Sequence, residues 1–547
     1  MAFFINPLSN SLMPNALQPI SEPEFLSFLD GRVAGIGHRN LKDYTLIERL
    51  IDFPIIFKEL LAYNITNVTI AELMFKNCTF KQPVSIGDIL RAGEVKFINC
   101  LFEEGVEIET YKNVRLLENC KFMQTLVLSL ADSSSPIYNI SVEGTLHLTS
   151  HATDLTTLRN INENGAGPNA NLVLDVRCKT LRIQESAFKQ ISFVGGSVVS
   201  ENSYFDRITA NNVHIDGLLN EQSLQIVKSN IASLFVDPNS YIGDSFSFVD
   251  CRVSNAMILP FSAFNKIDIQ KSRIALLHIN GPIKKDSRMF LQELILEDAL
   301  IFSDVFNEGL LSLKEVIIPS SGALEIRSSN LGKTDFILCD FQNASLSFEN
   351  SRLTDIFVAE TEFPDKVFSK GAPSPQQAQL AFGQISTAFQ KQGDTVRTIE
   401  YQAREIREHY RQLKWSSDHK KWYKRKFSFT KLSLWLNKWS NDFGRSWQRG
   451  FLFSVICGFF FFAFLLLSAK EYDYDLHFPF DYRIWISFLR FMNPLRFFEL
   501  ETIFTIGSDD PFLKLSGWSY FWDFLGRVFV AYGVYQTIQA FRRYGKK

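Results

Sequence analysis

Asn77-Cys-Thr-Phe80, Asn99-Cys-Leu-Phe102 and Asn119-Cys-Lys-Phe122 repeat one pattern at intervals of 22 and then 20 residues. Looser copies follow, with Ser or Thr often replacing Cys: Glu185-Ser-Ala-Phe188, Asn202-Ser-Tyr-Phe205, Asp250-Cys-Arg-Val253, Lys271-Ser-Arg-Ile274, Ser328-Ser-Asn-Leu331, Leu338-Cys-Asp-Phe341, Asn350-Ser-Arg-Leu353 and Glu360-Thr-Glu-Phe363. A self-similar period near 20, built from short alternating runs, is that of a β-solenoid. The small Cys or Ser and the large Phe or Leu are expected to point inward and their polar neighbours outward. This predicts a right-handed parallel β-helix over residues 65–372. The last four copies fall 10, 12 and 10 residues apart, as if two faces of one coil carry the pattern. The alternative is a β-sandwich with chance likeness among its strands, for which Pro and Gly, at 18 and 28, are sparse.

Residues 1–64 do not follow the repeat and are expected to form a helical cap over the open first coil, whose unpaired edge invites aggregation. Ser21-Glu-Pro-Glu-Phe-Leu-Ser-Phe-Leu and Leu46-Ile-Glu-Arg-Leu-Ile both read as helical. Gly371-Ala-Pro-Ser-Pro375 then breaks the repeat, and the period changes to 3.6. Leu380, Ile385 and Phe389 make one stripe, Gly393-Asp394 the turn, and Val396, Ile399, Ala403, Ile406 and Tyr410 a second. Residues 373–412 are therefore read as a helical hairpin, either a plain connector or a neck that transmits force.

A chain of 547 residues exceeds the size of one core, and 46% hydrophobic residues with a mean hydropathy of -0.01 is too polar for a protein that is membrane throughout. Net charge is -2, so bulk charge selects no partner. The seven cysteines are far apart, odd in number and without a Cys-x-x-Cys pair, which favours reduced thiols over a disulfide framework.

Residues 451–469 are apolar and uncharged, and 517–541 form a second apolar stretch. About 20 apolar residues cross the roughly 30 Å hydrocarbon layer, so two spans are expected in a pore domain at 451–547. The segment 413–450 carries Lys414, Lys420, Lys421, Lys424, Arg425, Lys426, Lys431, Lys438, Arg445 and Arg449, interleaved with Trp415, Trp422, Trp435, Trp439 and Trp447. Cations beside a span mark the cytoplasmic side and Trp anchors the headgroup boundary; a nucleic-acid surface is the lesser reading. Glu471, Asp473 and Asp475 follow the first stretch, and Arg542, Arg543, Lys546 and Lys547 follow the second. The start of the chain lacks a signal-peptide pattern, so both termini and the solenoid are expected inside.

Between the two stretches, 482–504 is amphipathic, with Arg483, Arg490 and Arg496 among aromatics, and leads into Thr502-Ile-Phe-Thr-Ile-Gly-Ser-Asp-Asp510. Span, tilted helix, Thr-x-x-Thr-Ile-Gly loop and second span resemble the two-transmembrane pore module of tetrameric potassium-channel-like proteins. In that family a Thr-Val-Gly-Tyr-Gly-Asp loop aligns backbone carbonyls that replace the ion's water shell. The resemblance sets Thr505 at the Thr, Ile506 at the Val, Gly507 at the first Gly, Ser508 at the Tyr, Asp509 at the second Gly and Asp510 at the Asp. Asp509 departs from the pattern, because it adopts positive φ less cheaply than Gly. Four copies of Asp509 and Asp510 would instead make an acidic ring that favours cations. The alternative is an ordinary extracellular loop on a two-span anchor.

In the second stretch Ser519, Gly526, Gly533 and Ala540 recur every seven residues, a small-residue stripe expected to serve assembly into a homotetramer. Asp523 and Arg527, four apart, are expected to pair within the membrane. Gln536, Gln539 and Tyr532 fall on roughly the opposite face, where water would meet them.

The whole-chain arrangement resembles pentapeptide-repeat-type ion-channel proteins of bacteria. It is similar to membrane effectors of anti-phage defence such as that of the Hailong system, in which a partner nucleotidyltransferase makes a nucleotide or DNA-oligomer signal that controls the pore. The resemblance implies a tetrameric channel of the bacterial inner membrane whose solenoid senses a ligand and whose opening depolarises the cell. The other reading is a membrane-anchored scaffold whose solenoid binds protein partners. No ligand-binding residues stand out. There is no Walker P-loop and no Gly-x-Ser-x-Gly elbow, Gly35-Ile-Gly-His-Arg-Asn40 lacks the third Gly of a dinucleotide fingerprint, and His147 and His151 have no further metal ligand beside them. Neither an enzyme, a cofactor nor a metal site is expected.

Overall fold

The computed structural model describes residues 17–29, 37–40, 43–56, 72–87, 94–109, 114–131, 137–162, 170–353, 355–369, 372–415, 428–472, 482–495, 500–505, 511 and 513–545. By internal contact the chain divides into two units, Met1–Ser351 with Ala359–Asp365, and Arg352–Val358 with Lys366–Lys547.

The first unit is a parallel β-solenoid. Glu72–Lys76 lies in register beneath Glu94–Ile98, and Leu101–Phe102 lies between Thr79–Phe80 and Lys121–Phe122. The same stacking continues to Ala323–Arg327 on Ser345–Glu349. Each coil turns at a residue held in the left-handed region. Asn77, Asn99, Asn119, Asn139 and Asn160 occupy this corner first, then Glu185, Arg207, Lys228, Asp250 and Lys271, all with φ between 49 and 55°. Among residues with a side chain Asn tolerates that conformation well; for most others it costs about 1–2 kcal/mol.

At several corners the next residue is Cys or Ser, small enough to turn inward and able to hydrogen-bond there, whereas after Asn139, Asn160 and Arg207 it is a buried Ile. Cys78 Sγ donates to the Lys76 carbonyl at 3.4 Å, and Ser186 and Ser272 donate to Gln184 and Gln270 at 2.7 Å. The same atom accepts a backbone N–H from the coil below: Cys251 N reaches Ser272 Oγ at 3.1 Å, and Ser229 N reaches Cys251 Sγ at 3.3 Å. Buried polar backbone is thus satisfied coil by coil. Burial pushes the Cys178 and Cys251 thiols up to about 11 and about 12, so these cysteines are structural, not reactive.

The Phe of the motif stacks on its copies as expected. Ring centroids are 4.6 Å apart for Phe80 and Phe102 and 4.7 Å for Phe102 and Phe122, each pair nearly parallel. Such pairs contribute about 0.5–1.5 kcal/mol beyond area burial. The tighter spacing near the end has the anticipated origin: Asp304, Ser328 and Asn350 form a second ladder of left-handed corners beside that of Glu315, Leu338 and Glu360. The Asn202 copy is different. It lies inside the strand Asn202–Asp206, and its coil turns at Arg207, because Ser-x-Phe also fits any strand with alternate residues buried.

At the N-terminal end, helix α1, Glu22–Leu29, forms as expected and buries Phe25, Phe28 and Leu29. Leu46-Ile-Glu-Arg-Leu-Ile is not helical. It is two strands, Asp43–Ile47 on Glu72–Lys76 and Arg49–Ile51 on Gln18–Ile20, separated by the corner Glu48 at φ 54°. Leu46 and Ile51 both point inward across that corner, a spacing that strand-corner-strand satisfies as well as a helix. Solenoid pairing therefore reaches back into residues 1–64, where only a helical cap was expected. Gly37–Asn40 pairs antiparallel at the edge of the same sheet and covers it.

The second unit contains the hairpin where the sequence places it. Helix α2, Pro375–Gln392, is capped by Ser374 and ends at Gly393 with φ 79°; Asp394 caps α3, Thr395–Gln412. Ala378, Phe382, Ile385 and Phe389 pack against Ile399, Tyr401 and Ala403. Leu380 and Val396, expected in these stripes, are exposed, being one helical step off the buried face. Within the same unit Lys391 pairs with Asp355 at 2.6 Å and Gln384 accepts from Leu353 N at 2.6 Å. The segment 413–450 contains a helix that the charge pattern does not announce, α4, Phe429–Asn441, capped by Ser428.

Candidate pore module and its packing

Helix α5, Trp447–Leu467, has 21 residues, with a mean hydropathy of 2.6 over its most apolar 18, and is the one helix among the described residues long and apolar enough to cross a membrane. It starts earlier and ends earlier than the expected 451–469. Helix α7, Gly517–Gly545, has 29 residues, ample length for a span, but Asp523, Arg527, Gln536, Gln539, Arg542 and Arg543 keep it below the same apolarity.

Between them the chain folds back. Helix α6, Tyr482–Phe491, is followed by a 3-10 turn, Leu500–Phe504. Phe462, Leu465 and Leu466 of α5 close a core with Ile484, Phe491, Leu500, Ile503, Phe504 and Leu513. The turn is held by side chains: Arg490 Nη1 donates to the carbonyls of Thr502 at 3.1 Å and Thr505 at 3.0 Å, and Ser487 Oγ donates to Ile503 O at 2.9 Å. Thr505 Oγ1 donates to the Glu501 carbonyl at 3.2 Å. Arg490 appears in the sequence only as one of three cations among aromatics. Its role as a clamp on the carbonyls that lead into the loop depends on the fold-back and has no local signature. Glu471–Tyr472 pairs antiparallel with Leu513–Lys514, tying the end of α5 to the start of α7. Ile506, Gly507, Ser508, Asp509 and Asp510 lie outside the described residues, as do Lys420, Lys421, Trp422, Lys424, Arg425, Lys426, Asp473, Asp475, Arg496, Lys546 and Lys547.

The buried face of α7 is Ser519, Asp523, Gly526, Val530, Gly533, Gln536 and Ala540, spaced three and four apart. The small-residue stripe, expected to serve assembly between copies, lies on this buried face. It packs within the chain: a Cβ on Gly526 would stand 2.4 Å from the Phe491 ring, and one on Gly533 would stand 2.2 Å from Ser454 Oγ. Small residues on α5 answer them, Gly450 against Thr537 and Gly458 against Met492 and Val530. Ser519 Oγ sits 3.0 Å from Ser468 Oγ. Asp523 and Arg527 pair as expected, at 3.0 Å, with Asp523 on the buried face.

Gln536 does not meet water. It accepts a hydrogen bond from Asn441 of α4 and is buried. Tyr532 lies edge-on to Phe453 of α5, and Gln539 is half-buried. A wheel of α7 alone separates its faces but cannot say which neighbour covers each.

The opposite faces are apolar and open. Phe451, Leu452, Ile456, Phe459 and Phe460 on α5, and Phe521, Phe524, Val528, Tyr535 and Ile538 on α7, are exposed. Trp435 and Trp439 on α4 are exposed beside them in sequence. Soluble monomers rarely display so large an apolar surface. Among the described residues no group of His, Cys, Asp and Glu is placed to hold a metal ion.

Comparison of the chain with models of known families, with curated proteins and with solved structures finds no match.

Proposed function

We propose that this chain is a ligand-controlled, homotetrameric ion channel of a bacterial inner membrane and not an enzyme. A right-handed solenoid on the cytoplasmic side senses a signal, α5 and α7 are the two spans, and the segment from α6 to Asp510 lines the conduction path. The single observation that carries this reading is the outward face of α5 and α7, where Phe451, Phe459, Phe460, Phe521 and Phe524 are exposed while Gly450, Ser454, Gly458, Gly526 and Gly533 lie at their buried contacts. Lipid is the solvent in which that arrangement is stable, and non-helical backbone at membrane depth is tolerated only where protein or a wet cavity surrounds it. The clamp of Arg490 on the Thr502 and Thr505 carbonyls satisfies that requirement next to the loop. An Asp509 and Asp510 ring would select cations, and an open pore would depolarise the membrane, the outcome an anti-phage effector answering a nucleotide or DNA-oligomer signal would need.

The second reading is a membrane-anchored scaffold, and the observation in its favour is that α5 alone passes on apolarity. Planar-bilayer recording on the purified protein separates the two. A channel shows unitary currents whose cation preference drops when Asp509 and Asp510 are changed to Asn. An intact tetramer that is silent under every ligand tried contradicts the channel reading.

A further inference from the structure

Three consecutive residues between α4 and α5 adopt left-handed backbone: Asp442 at φ 51°, Phe443 at 61° and Gly444 at 88°. Gly rests there without strain. A bulky residue does not, and persists only where its surroundings hold it, as they do at switch regions. Phe443 is fully buried, its ring 6.4 Å from Tyr410 of α3, and its carbonyl accepts from Arg543 Nη1 of α7 at 3.4 Å. The Asp442 carboxylate stands 3.5 Å from Arg407 of α3 and 3.5 Å from Arg449 of α5. Arg445 stands 3.7 Å from Glu400 of α3. Asn441, the last residue of α4, donates to Gln536 of α7 and accepts from Gly444 N at 2.8 Å. One strained turn is therefore tied by charge to the hairpin and by hydrogen bonds to the C-terminal half of α7.

We propose that the turn 441–445 is the joint through which the hairpin controls α7, displacement of α3 passing through Asp442 and Phe443 to Gln536 and Arg543. The inference rests on the channel reading and names its regulation. A shift in the α3 ion pairs loads a backbone that already sits off its preferred region, so the turn relaxes as a unit instead of absorbing the movement.

Hydrogen exchange on the full-length protein in lipid nanodiscs tests this without knowledge of the ligand. Among the described residues neither Arg407 nor Asp442 has a hydrogen bond or ion pair to α7. Arg407→Gln and Asp442→Asn should nevertheless raise exchange at α7 amides 536–541 at least tenfold. Asp355→Asn, which breaks the Lys391 pair on α2, should leave those amides unchanged. The conservative Arg407→Lys, which keeps a cation facing Asp442 and leaves the Arg449 pair intact, should retain most of the protection, which guards against general misfolding. Unchanged exchange at 536–541 in both single variants, with native helix content, overturns the joint. A silent wild type in bilayers would sink the channel reading while leaving this coupling measurable.

Discussion

In the solenoid Phe75, Phe80, Phe97, Phe102 and Phe122 are at most 1% exposed and stack on one another, whereas Phe451, Phe459 and Phe524 of α5 and α7 are 60%, 57% and 63% exposed. One residue type is used in two opposite ways within one chain. In the solenoid water is the solvent, so apolar rings are the interior and corner residues such as Asn77, Lys228 and Glu360 are the surface. On the proposed reading lipid surrounds α5 and α7, and their buried face mixes Gly450, Ser454, Gly458, Gly526, Gly533 and the paired Asp523 with Phe461, Phe462 and Leu465, because between helices in lipid close backbone approach decides packing more than hydrophobic gain does. The difference teaches that what identifies the solvent of a region is which residues are turned inward, more than the amount of apolar residue it holds.

The contrast breaks most visibly in the Phe ladder. Phe102→Ala removes a ring stacked on both sides and should cost about 3–5 kcal/mol of solenoid stability. Phe459→Ala on the outer face of α5 should change it by less than about 0.5 kcal/mol, the level of an ordinary surface change. Denaturant unfolding followed by far-UV circular dichroism compares the two, and equal losses would erase the distinction.

A charge sharpens it from the other side. Phe459→Arg places a cation near the middle of α5 at a cost of about 2.5–3.5 kcal/mol for insertion and should reduce the membrane-bound fraction. Tyr241→Arg, at a solenoid position exposed to 46%, should leave that fraction untouched. Fractionation after carbonate extraction reads both.

The corner chemistry offers a smaller effect. Ser272→Ala leaves the Cys251 N–H without its acceptor and should cost about 1–3 kcal/mol, while Ser272→Cys should retain most of the stability. Equal losses would mean that size alone, and not hydrogen bonding, explains the alternation of Cys and Ser.

The smallest effect is in the hairpin, where burial raises the Glu405 carboxyl above its usual value and the nearby His409 only partly offsets this. A raised folded value means that the contribution is fully present below the unfolded carboxylate value and is lost as pH rises through the folded one. Glu405→Gln should therefore stabilise the hairpin slightly at pH 7, with the gain vanishing toward pH 4. A gain that is the same at both values would show that the carboxyl is not the cause.

Much of this fold was legible because a solenoid repeats its own rules. Cys78, Cys100 and Cys120 with their Phe partners identify inward positions, and Pro375, Gly393 and Asp394 punctuate the hairpin within a residue or two. Leu46 to Ile51 misled because apolar spacing across a left-handed corner imitates a helix, and nothing in Glu48 announces positive φ. At the candidate pore, the Asp523 and Arg527 pair was readable from i,i+4 spacing. The partners of Gln536, of the small stripe and of Arg490 were not, since each lies far away in sequence, on α4, α5 or the 3-10 turn.

The most direct test is water accessibility of single cysteines introduced at 459, 524 and 505 in a cysteine-free background, in reconstituted vesicles. A membrane-impermeant maleimide should fail to label Phe459→Cys and Phe524→Cys, and should label Thr505→Cys with loss of ion flux. Full labelling at 459 and 524 together with protection at 505 would contradict the account.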